Sequence, residues 1–250
     1  MFKIIKVRIN QGSQTIKDIK NASVNPRHRG LPSIAAGDCR RECGICAGAC
    51  PSGAISLGPV RIDMGKCVFC GDCAGKCPEG KIKFTNFFKT AASSRERLIV
   101  DCNTADFEKY AVKARAEIKN YFGRSLKLRS VSAGGCNGCE LELNACSNVN
   151  FDMARFGIEF SASPRHCDGI VITGPVTGNM AQPLEDTLSS VPSPKIIVAA
   201  GSCAISGGLF AKSPAVDRVF FEKHGVDLYV PGCPIHPLTF INGMLKLLGR

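Results

Sequence analysis

Cys67-Val68-Phe69-Cys70-Gly71-Asp72-Cys73-Ala74-Gly75-Lys76-Cys77-Pro78 sets four thiols at two-, two- and three-residue gaps and closes on Cys-Pro. Two-residue gaps let three thiolates of one tight loop reach three corners of an iron–sulfur cubane; in the bacterial two-cluster arrangement the fourth cysteine ligates the other cluster. A second run stands upstream, Cys39-x3-Cys43-x2-Cys46-x3-Cys50-Pro51. Carried over to these residues, one 4Fe–4S cluster takes Cys67, Cys70, Cys73 and Cys50, and the other takes Cys39, Cys43, Cys46 and Cys77. The prolines after Cys50 and Cys77 fix φ where the chain leaves each cluster. The upstream run opens with three intervening residues, Arg40, Arg41 and Glu42, where the pattern has two. An outward bulge keeps a normal cubane, whereas a Cys39 that swings away leaves a 3Fe cluster; the spacing does not decide. Two arginines beside Cys39 and Cys43 are expected to raise that cluster's potential.

Other thiol chemistries fit less well. Disulfides suit small secreted chains, and Met1–Asn10 carries Lys3, Lys6 and Arg8 with no long apolar run, so no secretory signal is expected. Structural zinc prefers C-x2-C pairs separated by a longer stretch. Abundant cysteine without such a signal points to a reducing, oxygen-poor cytoplasm. At 250 residues and 44% hydrophobic content, one large or two small domains with a packed core are expected. No run of about 18 apolar residues suggests a membrane span. The formal charge of +11 overstates the real one, because each oxidised cluster with its thiolates contributes about −2. Residues 1–41 hold nine Lys or Arg against Asp18 and Asp38. This basic arm suits anionic lipid headgroups or an acidic partner, or is a solvated face. Nucleic acid is not expected, since no nucleic-acid motif or interleaved aromatics accompany the arm. Phe2–Ile9 reads as an amphipathic strand or as a short helix.

Residues 1–90 thus read as a two-cluster ferredoxin-like domain with a basic arm, and 91–124 as a linker and helix. That helix is expected from Ala105 to Tyr121, ended by Gly123. From 125 to 250, short apolar strands alternate with helices: strands at Leu126–Ser132, Ile158–Ala162, Asp168–Gly174, Lys195–Gly201 and Val226–Gly232, helices at Cys139–Ser147, Pro183–Ser189 and Leu238–Leu248. The alternation predicts an α/β domain with a doubly wound, flavodoxin-like parallel sheet. Cys136, Cys203 and Cys233 each follow a strand, where the ligands of such sheets sit. With Cys139 they offer four thiolates, the complement of a third cubane. Either Cys203 or Cys233 alone passes for a core cysteine; their joint placement favours a cluster. Gly134, Gly135, Gly138, Gly201, Gly207, Gly208 and Gly232 flank the site and let backbone N–H groups approach sulfur. Cys102, Cys146 and Cys167 have no partner spacing and read as structural.

Gly134-Gly135-Cys136-Asn137-Gly138-Cys139-Glu140, Pro164-Arg165-His166, Gly201-Ser202-Cys203 and Pro231-Gly232-Cys233-Pro234 make residues 125–250 resemble a known family. It is the small subunit of group 4 nickel–iron hydrogenases, of the formate hydrogenlyase and energy-converting type, related to the terminal-cluster subunit of respiratory complex I. Residues 1–90, including His28-Arg29-Gly30-Leu31-Pro32, resemble the separate two-cluster ferredoxin subunit of those complexes, here fused. The resemblance implies three [4Fe–4S] clusters, two ferredoxin-type and one proximal. Cys136, Cys139, Cys203 and Cys233 would hold the proximal one. It implies relay of electrons between a low-potential donor, such as ferredoxin or a formate dehydrogenase subunit, and nickel–iron in a separate large subunit, for hydrogen production or uptake. Integral membrane subunits, and a peripheral place on the cytoplasmic face of the inner membrane, belong to the same expectation. Glu140 would sit at the subunit interface, as a proton carrier or potential-tuning group, or be only a carboxylate at a helix N-terminus. Arg165 and His166 would line that interface or have no role. The complex I relative usually has adjacent cysteines where this chain has Cys136-x2-Cys139. Delivery to a quinone, or a nickel-free relative, remains the alternative. Arg41-Glu42-Cys43-Gly44-Ile45-Cys46 is also similar to the nickel-ligand motif of hydrogenase large subunits. That site needs a second cysteine pair near the C-terminus, and none stands in Leu247–Arg250, so this chain is expected to carry no nickel.

Overall fold

The computed structural model describes every residue except Met1, Asp38, Arg40, Arg41, Glu42, Ala105, Ala114 and Arg115. The two arginines expected to tune the first cluster therefore lie outside the described residues.

The apolar run Gly169–Thr173 forms strand β8 and Ile196–Ala200 forms β9, and all five residues of each are buried. A strand buried on both faces needs a layer on each side, which a parallel sheet with crossover helices supplies. Strands β6 (Leu126–Ser132), β7 (Ile158–Phe160) and β10 (Leu228–Val230) complete a five-stranded sheet of order β10-β9-β8-β6-β7, all neighbours parallel. Numbered within this half, the order is 2-1-3-4-5, the flavodoxin-like winding, with its switch point between β6 and β8. Successive residues feed opposite layers. Val171, Ile196 and Val198 pack with Leu143 of α6 (Gly138–Ala145) and Phe240, Ile241 and Met244 of α10 (Pro237–Leu247). Ile170, Ile172 and Ile197 pack instead with Leu184 and Leu188 of α7 (Gly178–Ser190) and Phe220 of α9 (Val219–Lys223). Helix α8 (Ser202–Ser206) leaves the end of β9. The expected strands are present, most of them shortened by a residue or two at their ends. Helix α7 begins five residues before the expected Pro183, which lies inside it.

The N-terminal half is built on two small antiparallel sheets. Strand β1 (Pro32–Ile34) pairs with β4 (Ile82–Phe84), and β2 (Ile55–Ser56), β3 (Arg61–Asp63) and β5 (Ile99–Val100) form a three-stranded sheet. Two short helices, α2 (Ile45–Gly48) and α3 (Asp72–Lys76), pack on each other and carry Cys46 and Cys73. Helix α1 (Phe2–Gln11) resolves the strand-or-helix question at the N-terminus, and none of its residues is buried.

The stretch 91–124 is more than the expected linker and helix. Its Leu98-Ile99-Val100 run supplies β5, the third strand of the ferredoxin-side sheet. Ala92 bridges to Tyr229 of β10, and Met64, Leu98 and Val100 share a core with Ala199, Ala204 and Ile205. The two halves are thus one packed body across this seam. The single helix expected from Ala105 to Tyr121 is two, α4 (Phe107–Ala111) and α5 (Ala116–Phe122). Val112 between them is extended, and the backbone there bonds Ser93 instead: Ser93 N–H donates to the Ala111 carbonyl and Lys113 N–H to Ser93 Oγ. Tertiary pairing overrides a good local helix propensity.

Candidate metal centres

Cys39, Cys43, Cys46 and Cys77 line one cavity of about 420 Å³, together with Leu57, Lys81 and Cys102. Cys46 sits on α2 and is buried. Burial pushes its thiol up, although the Ala47 N–H pulls the other way; Cys39 and Cys77 add to the rise. Cys77 stands at the end of α3 inside a ring of backbone N–H groups from Lys81, Glu79, Ile82 and Gly80. Slight burial raises its thiol, but these four donors outweigh it and leave it below its ordinary value. Such a nest favours a thiolate.

Cys50, Cys67, Cys70 and Cys73 border a second pocket with Ala54, Ile62 and Phe84. Each run thus lends its last cysteine to the other run's cavity, the exchange that the spacing implied. Burial pushes the Cys67 thiol up to about 12 and Cys73 to about 11. Backbone N–H groups already face these sulfurs: Ala54 N lies 3.2 Å from Cys50 Sγ, and Phe69 N 3.3 Å from Cys67 Sγ.

The third set gathers at the carboxyl ends of three strands. Cys136 follows β6, Cys203 opens α8 after β9, and Cys233 follows β10, while Cys139 lies in the first turn of α6. Burial, then Glu140, Cys203 and Cys233, push Cys139 up to about 12; burial, then Cys233, Cys136 and Glu140, push Cys203 to about 11. At Gly201, with φ +93°, a Cβ would stand 2.6 Å from Cys139 Sγ, so only glycine lets the chain pass that sulfur. At Gly174, with φ +80°, a Cβ would stand 2.6 Å from the Gly135 nitrogen, so glycine again lets the turn after β8 close on the switch point. Among the described residues no group of three or more His, Cys, Asp or Glu closes on a point as the ligands of one ion would; the first two thiol sets border cavities instead. Four soft donors round a space, with N–H groups aimed at sulfur, fit an iron–sulfur cluster.

Glu140 lies beside this third set. Its Oε1 accepts from Ser132 Oγ and Thr173 Oγ1, each at 2.6 Å, at the ends of β6 and β8. Burial raises its carboxyl, but the two hydroxyls prevail and hold it below the ordinary value. Arg165 and His166 are not brought here. They occupy a 3-10 turn (Pro164–His166) that leads into β8, at the opposite end of that strand from the cysteines.

Several contacts that the sequence did not signal join the centres. Buried Ser202, the neighbour of Cys203, places its hydroxyl 2.6 Å from the Cys67 carbonyl. Arg29 Nε donates to the Phe69 carbonyl at 2.5 Å, and the His28 ring meets the edge of His236, 4.9 Å between centroids, three residues past Cys233. Arg95 grips Asp63 through both Nη atoms at 2.7 and 2.6 Å, closing the seam beside Gly65. Arg218 spreads its guanidinium over the carbonyls of Pro175, Cys203, Ala204 and Ile205, 2.9 to 3.4 Å away, and stacks on Phe221. Nothing in the spacing of these residues marks them, since each acts across a tertiary contact. The Cys67 set thus adjoins the third set through Ser202, and its Cys73 feels Cys46 of the first set.

Residues 136–247 match the family model described as NADH ubiquinone oxidoreductase, 20 Kd subunit. A probable membrane-bound hydrogenase subunit of Pyrococcus furiosus is 35% identical over 138 residues, 55% of this chain and 83% of that one. The chain belongs to this 20 Kd-subunit family. Formate hydrogenlyase subunit 7 of Escherichia coli is 39% identical over 135 residues, 54% of this chain and 53% of its own length. An NADH-quinone oxidoreductase subunit of Heliobacterium modesticaldum is 45% identical over 123 residues, 47% of this chain and 68% of that one. Residues 38–81 match a 4Fe-4S dicluster domain. This member of the 20 Kd-subunit family is therefore an iron–sulfur subunit of oxidoreductase-complex type, in its hydrogenase-related branch, with a dicluster unit on its N-terminal side.

Proposed function

We propose that the chain is the electron-transfer small subunit of a nickel–iron hydrogenase complex. In this reading it holds three [4Fe–4S] clusters, ligated by Cys39, Cys43, Cys46 and Cys77; by Cys50, Cys67, Cys70 and Cys73; and by Cys136, Cys139, Cys203 and Cys233. The bound clusters supply one-electron chemistry. The chain's own groups set where electrons can pass. The observation that carries the reading is the three four-cysteine sets, with the hydroxyl of Ser202, the neighbour of Cys203, bonded to the Cys67 carbonyl of the second set. Arg218 puts a half-buried positive charge against the Cys203 carbonyl, which favours added electrons at the third set. Glu140, held anionic by Ser132 and Thr173, opposes it from the other side.

The third set is the exit. Cys136 and Cys233 are exposed, and Leu141, Leu209 and Phe210 beside α6 and α8 are 61%, 55% and 50% exposed. An apolar rim round exposed ligands suits burial under a large subunit, which would carry the nickel. The donor would meet the first set. No described helix is long and apolar enough to cross a membrane. A peripheral place in a membrane complex is supported by the relative named as membrane-bound and by exposed α1 with Lys3, Lys6 and Arg8. A second reading, delivery to a quinone, is favoured by the 45% identity to a quinone oxidoreductase subunit.

The test is anaerobic isolation of the native complex, assayed for nickel and for hydrogen-dependent dye reduction, alongside a Cys203→Ser variant. Nickel with activity, lost in the variant while the other two clusters persist, is the expected result. Normal hydrogen turnover in the variant would overturn the third centre. Iron without nickel would transfer the reading to the quinone relay.

A further inference from the structure

Three of the fifteen cysteines remain outside the three sets. Two are accounted for by the core. Cys146 and Cys167 are buried, and their thiols reach the carbonyls of Glu142 and Ser163 at 3.4 and 3.2 Å. Cys102 is different. It is exposed, and it lines the same cavity as Cys39, Cys43, Cys46 and Cys77. It is thus the fifth thiol round one space.

Its position is built. Strand β5 pairs Val100 with Ile62 of β3, and two residues past that pair on each strand stand Cys102 and Val60, both of which line the cavity. The turn that bears it is tied on both sides: Asp101 N–H donates to Thr104 Oγ1, and Thr104 Oγ1 and Asn103 N–H donate to Asp101 Oδ1, each at 2.9 Å. Opposite, buried Cys46 and nested Cys77 are held by helices and backbone donors. Cys39 is the ligand whose spacing to the next thiol departs from the pattern.

We propose that Cys102 is a reserve ligand of the first cluster, able to take the iron that Cys39 holds. The proposal rests on the iron–sulfur reading of that cavity. In the exchange the Cys102 thiolate forms an S–Fe bond as the Cys39 S–Fe bond breaks, and the proton leaving Cys102 ends on the Cys39 thiol. No oxidant or reductant is consumed. The exchange keeps a four-iron cluster where loss of Cys39 alone would release one iron.

The experiment uses the full chain, purified anaerobically as wild type, Cys39→Ser, Cys102→Ser and the double variant. Iron and sulfide are counted, the oxidised state is examined by EPR, and free thiols are mapped by iodoacetamide. Wild type and each single variant should hold about four irons at this centre. The double variant should lose about one iron and show a 3Fe signal, and Cys102 should resist alkylation only in Cys39→Ser. The same 3Fe signal in Cys39→Ser, with Cys102 freely alkylated, would overturn the proposal. The reduced-state signals of the other two clusters check folding in every variant. A wild type with no cluster at the first cavity would fail the underlying reading instead, and is told apart by its iron count before any substitution.

Discussion

Replacing Ser202 by alanine tests the seam between the second and third centres. Its hydroxyl lies 2.6 Å from the Cys67 carbonyl and 3.1 Å from the Gly232 carbonyl, and the side chain is 1% exposed. One hydroxyl hydrogen serves both, so the shorter contact dominates. After substitution the Gly232 carbonyl keeps a donor, the Ser202 N–H at 2.9 Å. The Cys67 carbonyl keeps none among the described residues. A buried acceptor left alone costs about 1–3 kcal/mol; the lower end applies if a water enters the methyl-sized gap. For a chain of this size each kcal/mol moves the thermal midpoint by about 2–4 °C. The assay is an anaerobic thermal scan at one fixed rate, because cluster loss makes unfolding irreversible. A parallel measurement follows electron passage from the first centre to an acceptor at the third, with iron content unchanged. We expect a lower midpoint and slower passage. A midpoint within about 1 °C of wild type would refute the stability argument. A lowered midpoint with unchanged passage would refute the bridge as a route and leave it as a structural bond.

Gly201→Ala drives a Cβ to 2.6 Å from Cys139 Sγ at a φ of +93°; the third centre's iron should be lost while the dicluster signals stay, as read by iron count and EPR. Arg218→Met strips a cation from four carbonyls, so stability should fall by about 2–3 kcal/mol and the third centre's midpoint potential should drop in a redox titration; an unchanged potential would remove Arg218 from the tuning. His236 is held down to about 4 by burial and then by the charge of His28. A base with a lowered folded pKa leaves the unfolded chain binding more protons between pH 6.5 and 4, so stability is lost as pH falls through that window. His236→Asn keeps an acceptor for the Leu238 N–H and should flatten the fall in midpoint between pH 7.5 and 5.5; an equal fall would assign the acid loss elsewhere. Removing iron with a chelator should unfold the N-terminal half before the five-stranded sheet, seen as early loss of hydrogen-exchange protection at Ile62 and Ile82 relative to Val171 and Val198.

The grouping of the first eight cysteines round two cavities was legible because their spacing is local. Three thiols within one short loop identify their own cavity, and the crossed placement of Cys50 and Cys77 follows from the same run. The sheet was legible for a similar reason. Gly169–Thr173 and Ile196–Ala200 are apolar throughout, a pattern that few structures other than a covered parallel strand satisfy. What stayed hidden depends on contacts with no sequence period. Ser202 is an ordinary serine until Cys67 arrives beside it, and Arg218 reaches carbonyls thirteen or more residues away. The break at Val112 was missed because propensity favours helix through it, while its neighbours pair with Ser93. The place of Arg165 and His166, at the far end of β8 from the cysteines, stayed open because a short motif says nothing about which end of a strand it will join.

The two halves are held together by different means, and that difference explains why they are fused so tightly. The sheet half owns the large aliphatic core, with Leu126, Leu128, Val198, Phe240 and Met244 all fully buried. In the dicluster half the compact core is Ile34, Ala54, Ile62 and Ile82, and the remaining buried members are Cys46, Cys67 and Cys73. So small an aliphatic set cannot offset the entropy of ordering its loops. Thiolate–iron bonds supply the rest, as metal binding becomes folding free energy in small metal domains. With the proposed crossed ligation, in which each run lends a cysteine to the other, neither loop can close its site alone. Strand β5 and the Leu98 core then anchor that cluster-dependent half to the preformed sheet. The anchoring contact falls beside Cys67 and Cys203, where Ser202 joins the second and third sets. A substitution that loosens the seam should therefore slow electron passage before it unfolds either half.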